Sequence, residues 1–110
     1  NNEISIISKE ISSLFNLKSL NLGNNKITEI SSELFKLLNL MELYLYNNKI
    51  QSISKEIGSL SELHTLYLSK NEIKIIPIEI GNLINLEVFD IQYNQIQSLP
   101  NEMNKLLKLH

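Results

Sequence analysis

Two residue types with chemical reach recur in this 110-residue chain at one fixed interval. Glutamates stand at Glu10, Glu33, Glu56, Glu79 and Glu102, and asparagines at Asn2, Asn25, Asn48, Asn71 and Asn94, each column spaced by 23 residues. Five stacked carboxylates invite a reading as a metal-binding column. The prolines beside them favour a simpler one. Pro77 and Pro100 lie two residues ahead of Glu79 and Glu102, as expected for the first residue of a helix, which puts each glutamate in a first turn near the positive dipole end. The asparagines fall at a sharp turn after an extended segment, where backbone groups lose their ladder partners. An inward-pointing amide both donates and accepts there, linking adjacent units. Both columns are therefore read as architecture, and the asparagines as a structural column rather than a ligand site.

His64 and His110 share the same phase, two intervals apart. Stacked strands would hold them ~10 Å from each other, too far for one zinc ion. No Ser-His-Asp or Cys-His constellation is suggested, and three glycines make no phosphate loop. Neither catalysis, a cofactor nor a metal is expected. Net charge is -2 with a pI near 5.7, which lacks the basic footprint of a nucleic-acid binder. No run approaches ~18 apolar residues, so no membrane insertion is expected. The chain has no cysteine. Disulfides and thiolate metal sites are thereby excluded, and a cytoplasmic location is expected over a secreted or surface one.

The elements that position these residues follow from the same interval. Complete units run over 17–39, 40–62, 63–85 and 86–108, preceded by a partial unit at 1–16 and followed by the start of another at 109–110. Each reads LxxLxLxxNxIxxIxxEIxxLxx. Seven positions per unit are apolar (1, 4, 6, 11, 14, 18 and 21), and all four units obey, giving 28 matches without exception. With 43% apolar residues overall, chance does not produce that. In LxxLxL the alternation has the period of a strand with one buried face. In IxxEIxxL the spacing is near 3.6, which returns the chain as a short helix or 3-10 turn. One unit cannot bury its apolar face alone, so neighbours must supply the stability.

The stretch LHTLYLSKNEIKIIPIEIGNLINL resembles the leucine-rich repeat family, in its 23-residue Ras-suppressor-like and scribble-like form, and the resemblance covers the whole chain. It implies an α/β solenoid, with a curved parallel sheet on the concave face and short helices or 3-10 turns on the convex face. It further implies a non-catalytic protein-interaction module, part of a larger scaffold or signalling protein, that binds a protein partner on the concave face. A secreted adhesin-like protein and the recognition arm of a larger enzyme are the alternatives.

The variable strand positions 3, 5, 7 and 8, with position 2 at the margin, would face that partner. All four tyrosines fall there: Tyr44 and Tyr67 at position 5, Tyr46 at 7 and Tyr93 at 8. Tyrosine combines a large apolar area with a polar handle. With Asn21, Glu42, His64, Thr65, Lys70, Asp90 and Gln92 they form the expected partner-binding surface, centred on Tyr44 and Tyr67. Elsewhere, Ile75 and Ile78 occupy variable positions on the convex side, where packing against a neighbouring loop is expected over a second contact surface. Solenoid ends need polar caps, and none is visible. Ile4, Ile7, Ile11, Leu106 and Leu109 would be partly uncovered. A fragment of a longer array is the favoured reading, and self-association through the ends the other.

Overall fold

A computed structural model describes residues 3–106; Asn2, Leu109 and His110 lie outside that range. Strands and one-turn helices alternate: η1 (Lys9–Ser13), β1 (Ser19–Asn21), η2 (Ser32–Lys36), β2 (Glu42–Tyr44), η3 (Lys55–Ser59), β3 (Thr65–Tyr67), η4 (Ile78–Asn82), β4 (Val88–Asp90) and η5 (Asn101–Lys105). The strands form one parallel sheet in the order β1-β2-β3-β4. Every register step equals the repeat: Ser19 opposes Glu42, Glu42 opposes Thr65, and Thr65 opposes Val88. The ladder runs on past the strand ends, where Leu22, Leu45 and Leu68 donate N–H bonds of 2.7–2.8 Å to Tyr44, Tyr67 and Asp90. This is a solenoid of the α/β kind expected, with the parallel sheet on one side and the η turns on the other.

The return segments are all 3-10 turns, one of the two outcomes the spacing allowed. Each closes with an i to i−3 bond, as in Leu37 N–H to the Leu34 carbonyl at 3.1 Å. Five residues are too few to propagate an α-helix past its nucleus. Ser8, Ser31 and Ser54 cap η1, η2 and η3, each hydroxyl accepting the glutamate N–H two residues on at 3.2 Å. Pro77 and Pro100 replace these serines. They sit at the cap itself, with extended ψ of 151° and 146°, and not at the first helical residue as expected from sequence. The ring supplies the fixed φ but no side-chain bond. Glu10, Glu33, Glu56, Glu79 and Glu102 do occupy the first turns. Three of these carboxylates are engaged locally: Ser8 Oγ donates to Glu10 at 2.7 Å and Ser54 Oγ to Glu56 at 3.1 Å, while Glu33 pairs with Lys36 at 2.8 Å. The Lys36 ammonium lowers the Glu33 pKa, an effect that desolvation opposes.

The core is a continuous column of the template leucines and isoleucines, most with no accessible surface. Four corrections apply. Ile7 and Leu106, expected near uncovered ends, are buried, whereas Ile4 is exposed. Leu99 obeys the template yet is 50% exposed, because no later loop among the described residues packs on it. Ile75 and Ile78 do not pack against a neighbouring loop; they are 74% and 57% exposed on the convex side. Phe35, at a variable position, is buried inside η2. At the equivalent place η3 and η4 carry Gly58 and Gly81. A Cβ on Gly81 would stand 2.6 Å from the Glu102 carbonyl oxygen, so glycine lets η5 stack closely on η4. No helix among the described residues is long and apolar enough to cross a membrane.

Candidate functional site

The turn that ends each strand is held by the asparagine column. Asn71 is buried, and its Oδ1 accepts the Ile50 N–H at 3.0 Å. Its Nδ2 donates to the carbonyls of Leu45, Leu68 and Ser69 at 3.0–3.3 Å. Asn48 repeats this geometry one unit earlier, with Oδ1 on Ile27 N–H, and Asn94 one unit later, with Oδ1 on Ile73 N–H. Asn25, in the first complete unit, bonds Ile4 N–H and two carbonyls. Each amide thus ties its own unit to the one before it and leaves none of its groups for a ligand. Just before it, at position 8, Asn24, Asn47, Lys70 and Tyr93 hold φ of 54–60°. That left-handed conformation suits asparagine and strains lysine and tyrosine.

Upstream of the turn, the sheet displays two cross-strand rows. One is Ser19–Glu42–Thr65–Val88; the other is Asn21–Tyr44–Tyr67–Asp90. Tyr44 and Tyr67 are half-buried and meet edge to face, with centroids 5.2 Å apart and planes at 73°, an arrangement the ring quadrupoles favour. The row is closed at both ends by turns of the same kind. Asn21 Oδ1 accepts Gly23 N–H at 2.9 Å, and Asp90 Oδ1 accepts Gln92 N–H at 3.1 Å. The carboxylate of Glu42, exposed beside Tyr44, has no ion-pair or hydrogen-bond partner among the described residues. Burial raises the Tyr44 pKa, and the Glu42 charge and Tyr67 raise it further.

The remaining expected contact residues divide by position. Thr65 and half-buried His64 lie on and just before β3, next to the pair. Tyr46 lies over Gly23, where an added Cβ would collide with the ring; its face is packed on backbone. Gln92 is exposed after β4. Lys70 and Tyr93 belong to the left-handed turn, at the margin of the sheet rather than on it. The expected contact set left out Val88, 39% exposed at the end of the Glu42 row, although its position 3 is one of those assigned to the partner-facing surface. Sequence reasoning also missed Asn39 and Asn85, whose amides reach back to the carbonyls of Phe15 and Ser61 at 3.1 and 3.0 Å; their shared last position in the repeat was the available signal.

A leucine-rich repeat family model matches residues 15–73, and a second, for two copies of the repeat, matches residues 61–105. No curated protein matches the chain. Solved structures do. A leucine-rich repeat protein of Leptospira interrogans is 38% identical over 99% of this chain, with a TM-score of 0.97. Internalin C2 of Listeria monocytogenes is 32% identical over 97%, with a TM-score of 0.86. The plant peptide hormone receptor RGFR1, solved with RGF2, is 30% identical over 98%, with a TM-score of 0.85. The chain spans 28%, 45% and 18% of those proteins respectively. With one family model covering more than half of the chain and the 23-residue register running through the sheet, the chain belongs to the leucine-rich repeat family.

Proposed function

We propose that this segment is a non-catalytic recognition module that binds a polypeptide partner across the sheet, as part of a larger scaffold or signalling protein of the 23-residue Ras-suppressor-like and scribble-like type. The observation that carries the reading is the Tyr44–Tyr67 pair: two large aromatic side chains kept out of the core and set together at the middle of the sheet. Tyrosines so placed are common anchors of binding energy. RGFR1, a peptide hormone receptor of the same fold, supports a peptide or protein as the ligand class. A secreted or surface recognition protein is the second reading, favoured by the similarity to internalin C2; immunoblotting of fractionated cells of the source organism separates the two compartments.

A displayed peptide library selected on the folded chain provides the test. Binders are expected to lose affinity by about 30-fold, the hot-spot scale, against the double variant Tyr44→Ala and Tyr67→Ala, with circular dichroism confirming the fold. Binders that keep their affinity for that variant would overturn the reading.

A further inference from the structure

The surroundings of the tyrosine pair carry a sign. Positions 3, 5 and 7 of the four complete units hold two carboxylates, Glu42 and Asp90, and no lysine or arginine; Lys18 at position 2 and Lys70 in the left-handed turn at position 8 lie at the margins of that surface. Glu42 lies two residues before Tyr44 on β2, on the same face of the sheet, and Asp90 is the register partner of Tyr67 on β4. Two strand spacings and two residues separate them, roughly 12 Å between Cα atoms. The aromatic pair sits between. A cation resting on the rings is then about 6 Å from each carboxylate position, well inside the ~8 Å Debye length of physiological salt. Neither carboxylate has a basic partner among the described residues, and Asp90 uses only Oδ1 in its own turn. Both rings are half-buried and so keep part of their surface open, and the face of an aromatic ring is the negative side of its quadrupole.

We infer that the Tyr44–Tyr67 pair, flanked by Glu42 and Asp90, is a docking site for a cationic side chain, arginine above all, of the partner polypeptide. The inference rests on the concave-face reading and narrows it to a ligand chemistry. Arginine fits better than lysine because its planar guanidinium stacks on an aromatic face while its N–H groups reach sideways to carboxylates.

The first probe is N-acetyl-arginine amide, titrated into the isotope-labelled chain while the tyrosine ring resonances are followed by NMR. N-acetyl-citrulline amide, equal in shape and neutral, is the control. Saturable shifts at Tyr44 and Tyr67 with arginine and not citrulline are expected, with Tyr93 as an unaffected internal reference. Glu42→Gln and Asp90→Asn should each weaken binding about 2- to 5-fold, the scale of an exposed cation–aromatic contact. Asp90→Asn keeps the turn, since Asn21 makes the same bond at its own position. Equal response to citrulline, shifts confined to Tyr93, or arginine affinity unchanged in the double carboxylate variant would overturn the inference. The peptide selection separates the two levels. Binders that need the tyrosines but show no enrichment in arginine or lysine sink the cation site and leave the recognition surface standing.

Discussion

Replacing Asn71 by alanine removes one acceptor and three donated bonds, and their redundancy sets the magnitude. The Leu45 carbonyl keeps a bond from Asn48, the Leu68 carbonyl one from Asn94, and the Ser69 carbonyl one from the Asn47 N–H. Losing the donors therefore costs only about 1 kcal/mol in all. Among the described residues the Ile50 N–H has no other partner, and Ile50 is fully buried; an orphaned buried donor costs about 1–3 kcal/mol. The sum is about 2–4 kcal/mol of unfolding free energy, measurable by urea denaturation followed by circular dichroism. Asn25→Ala should cost less, about 1 kcal/mol, because the Ile4 N–H it serves belongs to an exposed residue. Asn71→Asp sharpens the test. A carboxylate there would face three carbonyl oxygens, so its pKa must rise on folding. A raised folded pKa means stability fully present below the unfolded value of about 4 and lost as pH rises through the folded value. The Asp variant should therefore approach wild type in acid and fall away toward neutral pH. A cost for Asn71→Ala equal to that of Asn25→Ala, or a pH-independent deficit in the Asp variant, would refute the account of the column.

Three further outcomes follow from local geometry. Gly81→Ala should destabilise by about 1–3 kcal/mol, since its Cβ meets the Glu102 backbone at 2.6 Å, while Gly58→Ala, with nearest contacts of 3.0–3.1 Å, should cost less in the same denaturation assay. Lys70→Asn and Tyr93→Asn should each stabilise by about 1 kcal/mol, because asparagine tolerates the left-handed backbone both residues hold, and calorimetry would show a higher Tm. Ultraviolet titration should find Tyr44 ionising above the ordinary tyrosine value, first because of burial and then because of Glu42. Glu42→Gln should lower its midpoint. Since the folded pKa is raised, the associated stability is present below the unfolded tyrosine value and is lost as alkaline pH passes through the folded one.

The repeat interval contained the fold. A 23-residue spacing kept without insertion fixes a parallel register, because equal chain lengths between strands bring the same phase of each unit into line; Ser19, Glu42, Thr65 and Val88 meet for that reason alone. The buried template positions follow from it, as does the first-turn placement of the glutamates. What the interval left open is what depends on neighbours. The same template residue is sealed as Ile76 and half exposed as Leu99, because burial is supplied by the next loop. Serine at the cap was invisible until the turn's start was placed, and the prolines moved with it from first helical residue to cap.

Four tyrosines at variable strand positions were legible as an exposed set from the alternation of the strand. Their inequality was not. Tyr44 and Tyr67 form a pair because adjacent strands bring equal positions within ring contact, Tyr46 is laid on Gly23, and Tyr93 is carried off the sheet by a left-handed turn. Sequence by itself determined which face each residue takes, since side-chain alternation is a property of the local chain. Only the tertiary structure decided which of those side chains meet, because the meeting is set by the stacking of strands 23 residues apart.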